Sequence, residues 1–372
     1  MKLKLIISGL ILTLLSLAVA CAQPAPAPAP TPAPAPAPAP SPAPAPAPSP
    51  APAPAQKITW IFAASSGAAP NVWSTQPYPL FQKMIEKATG GRLVLDTKVD
   101  LFANTEALNG VAGGRADIGF QRTSAISGTF PLWDFAALPF FFDNIYEYQA
   151  AVNDPRAVQI WDKTFGDVGV VKIADAPDTA LDAIFGNKAI RTVADFSGLK
   201  IRTAGLLPTL TLKLLGAAPL AMPILELSEA LQRGTVDAIS TAPGYGLGSG
   251  LTDVTKYLNV WAIQSGFGGV IVVNKKSWDA LPADLQKAVK DVGAEIERQI
   301  VFASASTATL ARTGIQAAKL QVIVPDKAEV DKARTLAKPA IDEWLKAAGP
   351  IGPTILSIAG QYAGGAKIML AK

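Results

Sequence analysis

Proline stands at every even position from Pro24 to Pro54, with alanine in nearly every gap and only Gln23, Thr31, Ser41 and Ser49 as exceptions. Such a tract has no side chains to form a core and few backbone donors. It extends as polyproline II at roughly 3.1 Å per residue and reaches up to about 100 Å. Whatever folds in this chain of 372 residues must therefore lie after the tract, and the remaining length suffices for two domains of ordinary size. Use of the tract as a docking ligand for an SH3-like domain is the weaker reading, because no basic residue flags such a site.

What precedes the tract explains why a chain would carry it. Lys2 and Lys4 lead an apolar run from Leu5 to Leu17, followed by small residues up to Ala20 and then Cys21. This is the layout of a secretory signal peptide over residues 1–20, too short for a good membrane-spanning helix. Ala18-Val19-Ala20-Cys21 also has the form of a lipoprotein cleavage site, although leucine is commoner than alanine three places before the cysteine. Two readings stand: a lipid on Cys21 with residues 21–55 as a membrane-tethered stalk, or plain secretion with Cys21 incidental. Cys21 is the only cysteine, so no intrachain disulfide can form. The 33 basic and 29 acidic side chains give +4, which falls to +2 without Lys2 and Lys4. With no dense basic block, nucleic acid is excluded as a natural partner.

From Ile58 the pattern becomes β/α. Ile58 to Ala63 reads as a strand, Pro79 to Ala88 as a helix ended by Gly90-Gly91, and Leu93 to Val99 as an alternating strand. A helix near Thr105 to Ala112 then leads to a strand that opens at Asp117. This βαβαβ run predicts a right-handed, mostly parallel sheet. The grammar returns later: Val111-Ala-Gly-Gly114-Arg-Ala-Asp117 is echoed by Leu231-Gln-Arg-Gly234-Thr-Val-Asp237, which suggests two similar lobes. After Leu281-Pro282 a long helix is expected, with Leu285, Val289, Val292, Ile296 and Ile300 as its apolar stripe.

The chemistry available to this chain is limited. There is no histidine and no thiol besides Cys21, which removes Ser-His-Asp and Cys-His nucleophiles and metal sites built on imidazole or thiolate. No cofactor or metal is expected. Asp117 and Asp237 could in principle act as paired carboxylates, but accepting backbone N–H groups is the plainer role. Gly244 to Gly250 lacks the Lys-Ser/Thr ending of a phosphate loop and reads as a loop beside a hinge or cleft. In Asp195-Phe-Ser-Gly-Leu-Lys-Ile-Arg202-Thr203, Leu199 and Ile201 point to one face of a short strand and Lys200 and Arg202 to the other. Arg202 thus sits at a strand end, where α/β sheets hold ligands, and its planar fork suits a carboxylate. The competing reading is a surface arginine paired with a nearby acid. Loops after strand ends supply candidate walls in Trp73, Phe120, Thr123, Ser124, Tyr245 and Phe267, each of which could equally be packing. Leu138 to Phe142 reads as packing.

Seven marks occur in order: Gly90-Gly91-Arg92; Gly114-Arg-Ala-Asp117; Leu138-Pro-Phe-Phe-Phe142; Asp195 to Arg202; Met222-Pro223; Glu229-Ala-Leu-x-x-Gly234-x-Val-Asp237; and Lys275-Lys-Ser-Trp278-Asp-x-Leu-Pro282. In this order they resemble the solute-binding subunits of tripartite ATP-independent periplasmic (TRAP) transporters, the dicarboxylate-type family. The resemblance implies a two-lobed periplasmic-binding-protein fold, α/β in class, with a long helix spanning both lobes and a ligand closed between them. Residues 56–178 and 270–309 would form lobe I, and residues 179–269 and 310–372 lobe II. It also implies that Arg202 binds the ligand carboxylate and that the chain is not an enzyme.

Two departures bear on the ligand. Where many members carry a second arginine, this chain reads Ala180-Leu-Asp182-Ala-Ile-Phe-Gly-Asn187, and after Asp237 it has Ala238-Ile-Ser-Thr-Ala-Pro243 in place of an Asn or Glu. The expectation is a monocarboxylate with an apolar or aromatic body. The reading that follows is a monomeric extracytoplasmic lipoprotein, in the periplasm or at the cell surface, which delivers an organic acid to a TRAP-type permease. The alternatives are a ligand-sensing subunit for a signalling receptor or, from another class, a tethered carboxylate-dependent hydrolase.

Overall fold

The computed structural model describes residues 57–65, 77–179, 182–222, 226–264, 267–317 and 319–365. The signal peptide, Cys21, the Pro/Ala stalk and Trp73 lie outside the described residues.

Eleven strands are described: β1 (Ile58–Ala64), β2 (Leu93–Val99), β3 (Ile118–Arg122), β4 (Val170–Thr179), β5 (Ala183–Gly186), β6 (Lys200–Thr203), β7 (Ala218–Ala221), β8 (Ala238–Thr241), β9 (Tyr257–Asn259), β10 (Phe267–Asn274) and β11 (Gln321–Ile323). They build two sheets, one per lobe, in the orders β2-β1-β3-β10-β4 and β11-β9-β5-β8-β6-β7. The parallel pairing expected from the βαβ pattern holds for β2-β1-β3 and again for β7-β6-β8. Both sheets are nevertheless mixed, because β10 runs antiparallel to β3 and β4, and β5 antiparallel to β8 and β9. The local pattern could not show this, since β10 returns to the first sheet from far along the chain.

The echoed segments fold alike. Gly114 and Gly234 take positive φ, 75° and 71°, which lets each helix end turn sharply into the next strand. Asp117 then exchanges two hydrogen bonds with Ile61 of β1: its carboxylate accepts the Ile61 N–H at 2.8 Å, and its own N–H donates to the Ile61 carbonyl at 3.0 Å. Asp237 repeats this on Lys200 of β6, at 2.9 and 2.8 Å. Both aspartates accept backbone donors as expected, but on the neighbouring strand rather than at the helix ends.

The long helix spans Ala283–Ala317, 35 residues, and its five stripe residues are all buried. It packs on the helix Pro77–Ala88 in the first lobe and on the helix Pro243–Gly248 in the second. Along its way Glu297 accepts the Asp175 N–H at 2.9 Å, and Ser304 donates to the Pro177 carbonyl at 2.8 Å. It thus braces β4, whose end leads from one sheet to the other. Leu138, Phe140, Phe141 and Phe142 are buried in the largest apolar cluster, which bears out their reading as packing.

Candidate functional site

Lys200 and Arg202 share a face of β6, yet Lys200 is exposed while Arg202 is 5% exposed. The difference comes from what lies beyond the strand end. Arg202 reaches over the neighbouring parallel strand, where its Nε and Nη2 donate to the Met222 carbonyl just past β7, at 3.3 and 3.2 Å. Among the described residues this carbonyl is its only hydrogen-bond partner. Burial pulls the pKa of the guanidinium down, and the negative side chain of Asp182 and the phenol of Tyr245 hold it up. Arg202 remains charged regardless, because an arginine is not deprotonated in proteins. A surface strand arginine in an ordinary ion pair does not describe this geometry.

Asp182 leads into β5, which pairs with β8 so that Ile184 faces Ser240. That pairing brings the Ser240 hydroxyl to Asp182 Oδ2, where it donates at 2.5 Å. Gln264 Nε2 donates to the same oxygen at 3.2 Å, and the Asp182 N–H donates to the Gln264 carbonyl at 3.2 Å. Asp182 is 5% exposed, and burial raises its pKa to about 6. Ser240, Gln264, the charge of Arg202 and the Ala183 N–H all act in the opposite direction. Gln264 is also 5% exposed, and its Oε1 has no hydrogen-bond partner among the described residues.

The first lobe meets this strand end through the turn after β3. Ser124 Cβ lies 3.6 Å from where a β-carbon on Gly205 would stand, and Gly205 follows β6 directly. Thr123 is buried, and its hydroxyl donates to the Gly268 carbonyl at 3.2 Å, so it ties β3 to β10. Ser124 is half-buried. A second acid reaches the segment after β6, at the Leu207 N–H: Asp134, in the 3-10 segment Pro131–Ala137, is buried with neither carboxylate oxygen in a hydrogen bond of good geometry among the described residues. Burial raises its pKa to about 7, with the Leu207 N–H pulling the other way.

The other expected wall residues separate. Tyr245 is half-buried and close enough to Arg202 for each to shift the other's pKa. It sits on a short helix, Pro243–Gly248, where a loop was expected: Pro243 occupies the first turn, and Gly246 lets the helix press against the Phe185 ring. Phe120 is core rather than cleft wall. It is buried edge-to-face against Tyr78 at 6.4 Å, beneath the Arg122 guanidinium and against Gly269. Phe267 opens β10, and its side chain lies outside what is described. Sequence reasoning missed Gln264, Ser240 and the Met222 carbonyl, and noted Asp182 only as a departure. An acid within the apolar run Leu181 to Phe185 was the one available signal. Among the described residues no group of three or more Asp, Glu, His or Cys could hold a metal ion.

The family model for bacterial extracellular solute-binding proteins of family 7 matches residues 65–347. The C4-dicarboxylate-binding periplasmic protein of Rhodobacter capsulatus is 26% identical over 220 residues, covering 58% of this chain and 65% of that protein. The 2,3-diketo-L-gulonate-binding periplasmic protein of Escherichia coli is 26% identical over 216 residues, covering 56% and 64%. The matched region thus spans slightly less than two thirds of either relative. The crystal structure of a Bordetella pertussis extracytoplasmic solute receptor binding pyroglutamic acid superposes with a TM-score of 0.72 at 23% identity, covering 81% of this chain and 99% of that one. The match over residues 65–347, the paired sheets and the helix bracing both lobes agree, and the chain belongs to the bacterial extracellular solute-binding proteins of family 7, a family of binding proteins rather than enzymes.

Proposed function

We propose that this protein captures a small organic acid between its two lobes, with Arg202 as the carboxylate clamp, and hands it to a TRAP-type membrane permease. The observation that carries the reading is a buried arginine at the carboxyl end of β6, with Nη1 making no hydrogen bond among the described residues. Buried charges are ordinarily paired, and an incoming carboxylate would complete the pairing that Met222 begins. Closure follows if the closed form gains contacts from both lobes, here the Arg202 strand end on one side and the Ser124 turn on the other.

The ligand in this reading is a monocarboxylate with an apolar or aromatic body. Asp182 beside Arg202 supports the single charge, since a second carboxylate placed there would meet a negative partner. The relatives' ligands range over a C4-dicarboxylate, 2,3-diketo-L-gulonate and pyroglutamic acid, so organic acids are the shared class. Ser124 and Tyr245 belong to the walls. The lobes divide as residues 56–178 with 270–309, and 179–269 with 310–372. A lipid on Cys21 and the stalk to residue 55 would hold the protein at the outer face of the cytoplasmic membrane or at the cell surface. The test is mass spectrometry of small molecules released on denaturing the purified protein beside its Arg202→Ala variant. A carboxylic acid present in the first and absent from the second supports the reading. The same acid released in equal amount from both overturns the clamp.

A further inference from the structure

Near Arg202, across the strand β8 that pairs with β6, stand buried acceptors. The Asp182 carboxylate and Gln264 Oε1 are both at least nine-tenths buried, and they belong to side chains joined to each other by two hydrogen bonds. Asp182 Oδ2 is committed to the Ser240 hydroxyl and Gln264 Nε2, whereas Gln264 Oε1 has no partner among the described residues. Arg202 and Asp182 attract each other without an ion-pair contact, because Arg202 is turned to Met222 and Asp182 to Ser240 and Gln264. A buried acceptor without a donor is unfavourable, and a buried positive and negative side chain held apart are each incompletely paired.

We propose that Asp182 and Gln264 form an acceptor subsite beside the Arg202 clamp, and that the ligand class is a small carboxylic acid bearing an N–H or ammonium donor next to its carboxylate. The inference rests on Arg202 being the carboxylate clamp. Its physical content is hydrogen-bond satisfaction at buried acceptors: a carboxylic acid with no donor beside its carboxylate would leave Gln264 Oε1 without a partner and set a further acceptor next to Asp182. A ligand that supplies a donor to Asp182 or Gln264 Oε1 as its carboxylate meets Arg202 satisfies both halves at once. Lactam acids and α-amino acids have that arrangement of groups.

The test is calorimetric titration of the purified full-length protein with acids matched except at one atom: pyroglutamate against its ring-oxygen lactone analogue, and proline against tetrahydrofuran-2-carboxylate. A site whose buried acceptors need a donor rejects the analogue without one strongly, so at least one N–H acid is expected to bind at least about tenfold tighter than its oxygen partner. In Asp182→Asn, whose amide can turn a donor toward the ring oxygen, the preference is expected to shrink to less than about threefold. Equal binding of both members of each pair by the unaltered protein would overturn this inference alone and leave the clamp standing. So would an undiminished preference in Asp182→Asn. A protein that binds no acid of the set would likewise overturn this inference alone, whereas an Arg202→Ala variant that binds the acids as well as the unaltered protein would overturn the clamp and this subsite together. The comparison of paired ligands on the unaltered protein needs no variant to fold.

Discussion

Strand β1 of lobe I and strand β6 of lobe II, each second from one edge of its sheet, correspond residue by residue through their aspartates. Ile61 exchanges two hydrogen bonds with Asp117, one to its carboxylate and one from its backbone N–H, and Lys200 exchanges the same two with Asp237. Two residues further along each strand stand Ala63 and Arg202, both buried, and the sheet orders around them correspond, with β2, β1, β3, β10 and β4 matching β7, β6, β8, β5 and β9. The same backbone frame thus carries a methyl group in one lobe and a guanidinium in the other. The frame fixes where a strand ends, while the side chain at that end decides which lobe carries a buried charge there. A comparable contrast holds for the buried acids. Asp134, with only the Leu207 N–H acting on it and no hydrogen bond of good geometry among the described residues, is raised to about 7, whereas Asp182, with Ser240, Gln264 and Arg202 around it, is raised only to about 6.

Arg202→Ala makes lobe II resemble lobe I at this position and should have the largest effect. Loss of a buried, hydrogen-bonded charge partner is expected to cost about 2–5 kcal/mol of ligand binding. Arg202→Lys should recover little of it, because an ammonium lacks the planar fork. Titration with the acid identified by mass spectrometry reads both. An affinity within threefold of the unaltered protein would end the distinction between the lobes.

Next comes pH. A carboxyl whose pKa is raised in the folded protein holds its proton there to higher pH than in the unfolded chain. Asp134 and Asp182 therefore give their full contribution to stability below about pH 4, and that contribution is lost as pH rises through 6 and 7. For Asp134 the swing is on the order of 4 kcal/mol. Asp134→Asn should raise the melting temperature at pH 8 and leave it nearly unchanged at pH 4. A larger gain at pH 4 than at pH 8 would contradict the assignment.

Close backbone approaches give smaller effects. A β-carbon on Gly269 of β10 would lie 2.4 Å from the Gln121 carbonyl oxygen, and one on Gly246 would lie 2.3 Å from the Phe185 ring. Alanine at either position is expected to destabilise by about 1–3 kcal/mol in urea unfolding, as overpacking does. Gly246→Ala should also weaken acid binding by displacing Tyr245, and Gly269→Ala should do so less. Equal binding losses would show that the two positions act on the site alike.

The smallest effect tests the shared frame itself. Asp117→Ala and Asp237→Ala each remove the acceptor of one strand N–H, at a cost of about 1 kcal/mol. Asp117 also accepts the Ser277 hydroxyl at 2.7 Å, so its loss should be the larger in denaturant unfolding. A greater loss from Asp237→Ala would mean that the two aspartates do not play equivalent parts.

Much of this was readable in order along the chain. The strand ends, the stripe from Leu285 to Ile300, the two Gly-x-x-Asp returns and the position of Arg202 all follow from patterns a few residues wide, because period and turn chemistry are local properties. The antiparallel course of β10 and β5 was not legible, and neither was the company of Arg202. Asp182 meets Ser240 across 58 residues and Gln264 across 82, while Arg202 meets the Met222 carbonyl across 20. No local period encodes such separations. By itself the sequence determined that an α/β chain would place an arginine at a strand end and that histidine and thiol chemistry were closed to everything after Cys21. Only the tertiary structure decided that this arginine is buried rather than exposed, and that it faces an acid without touching it. Burial and charge pairing depend on which strands lie side by side, and that is set by packing between segments far apart in the chain.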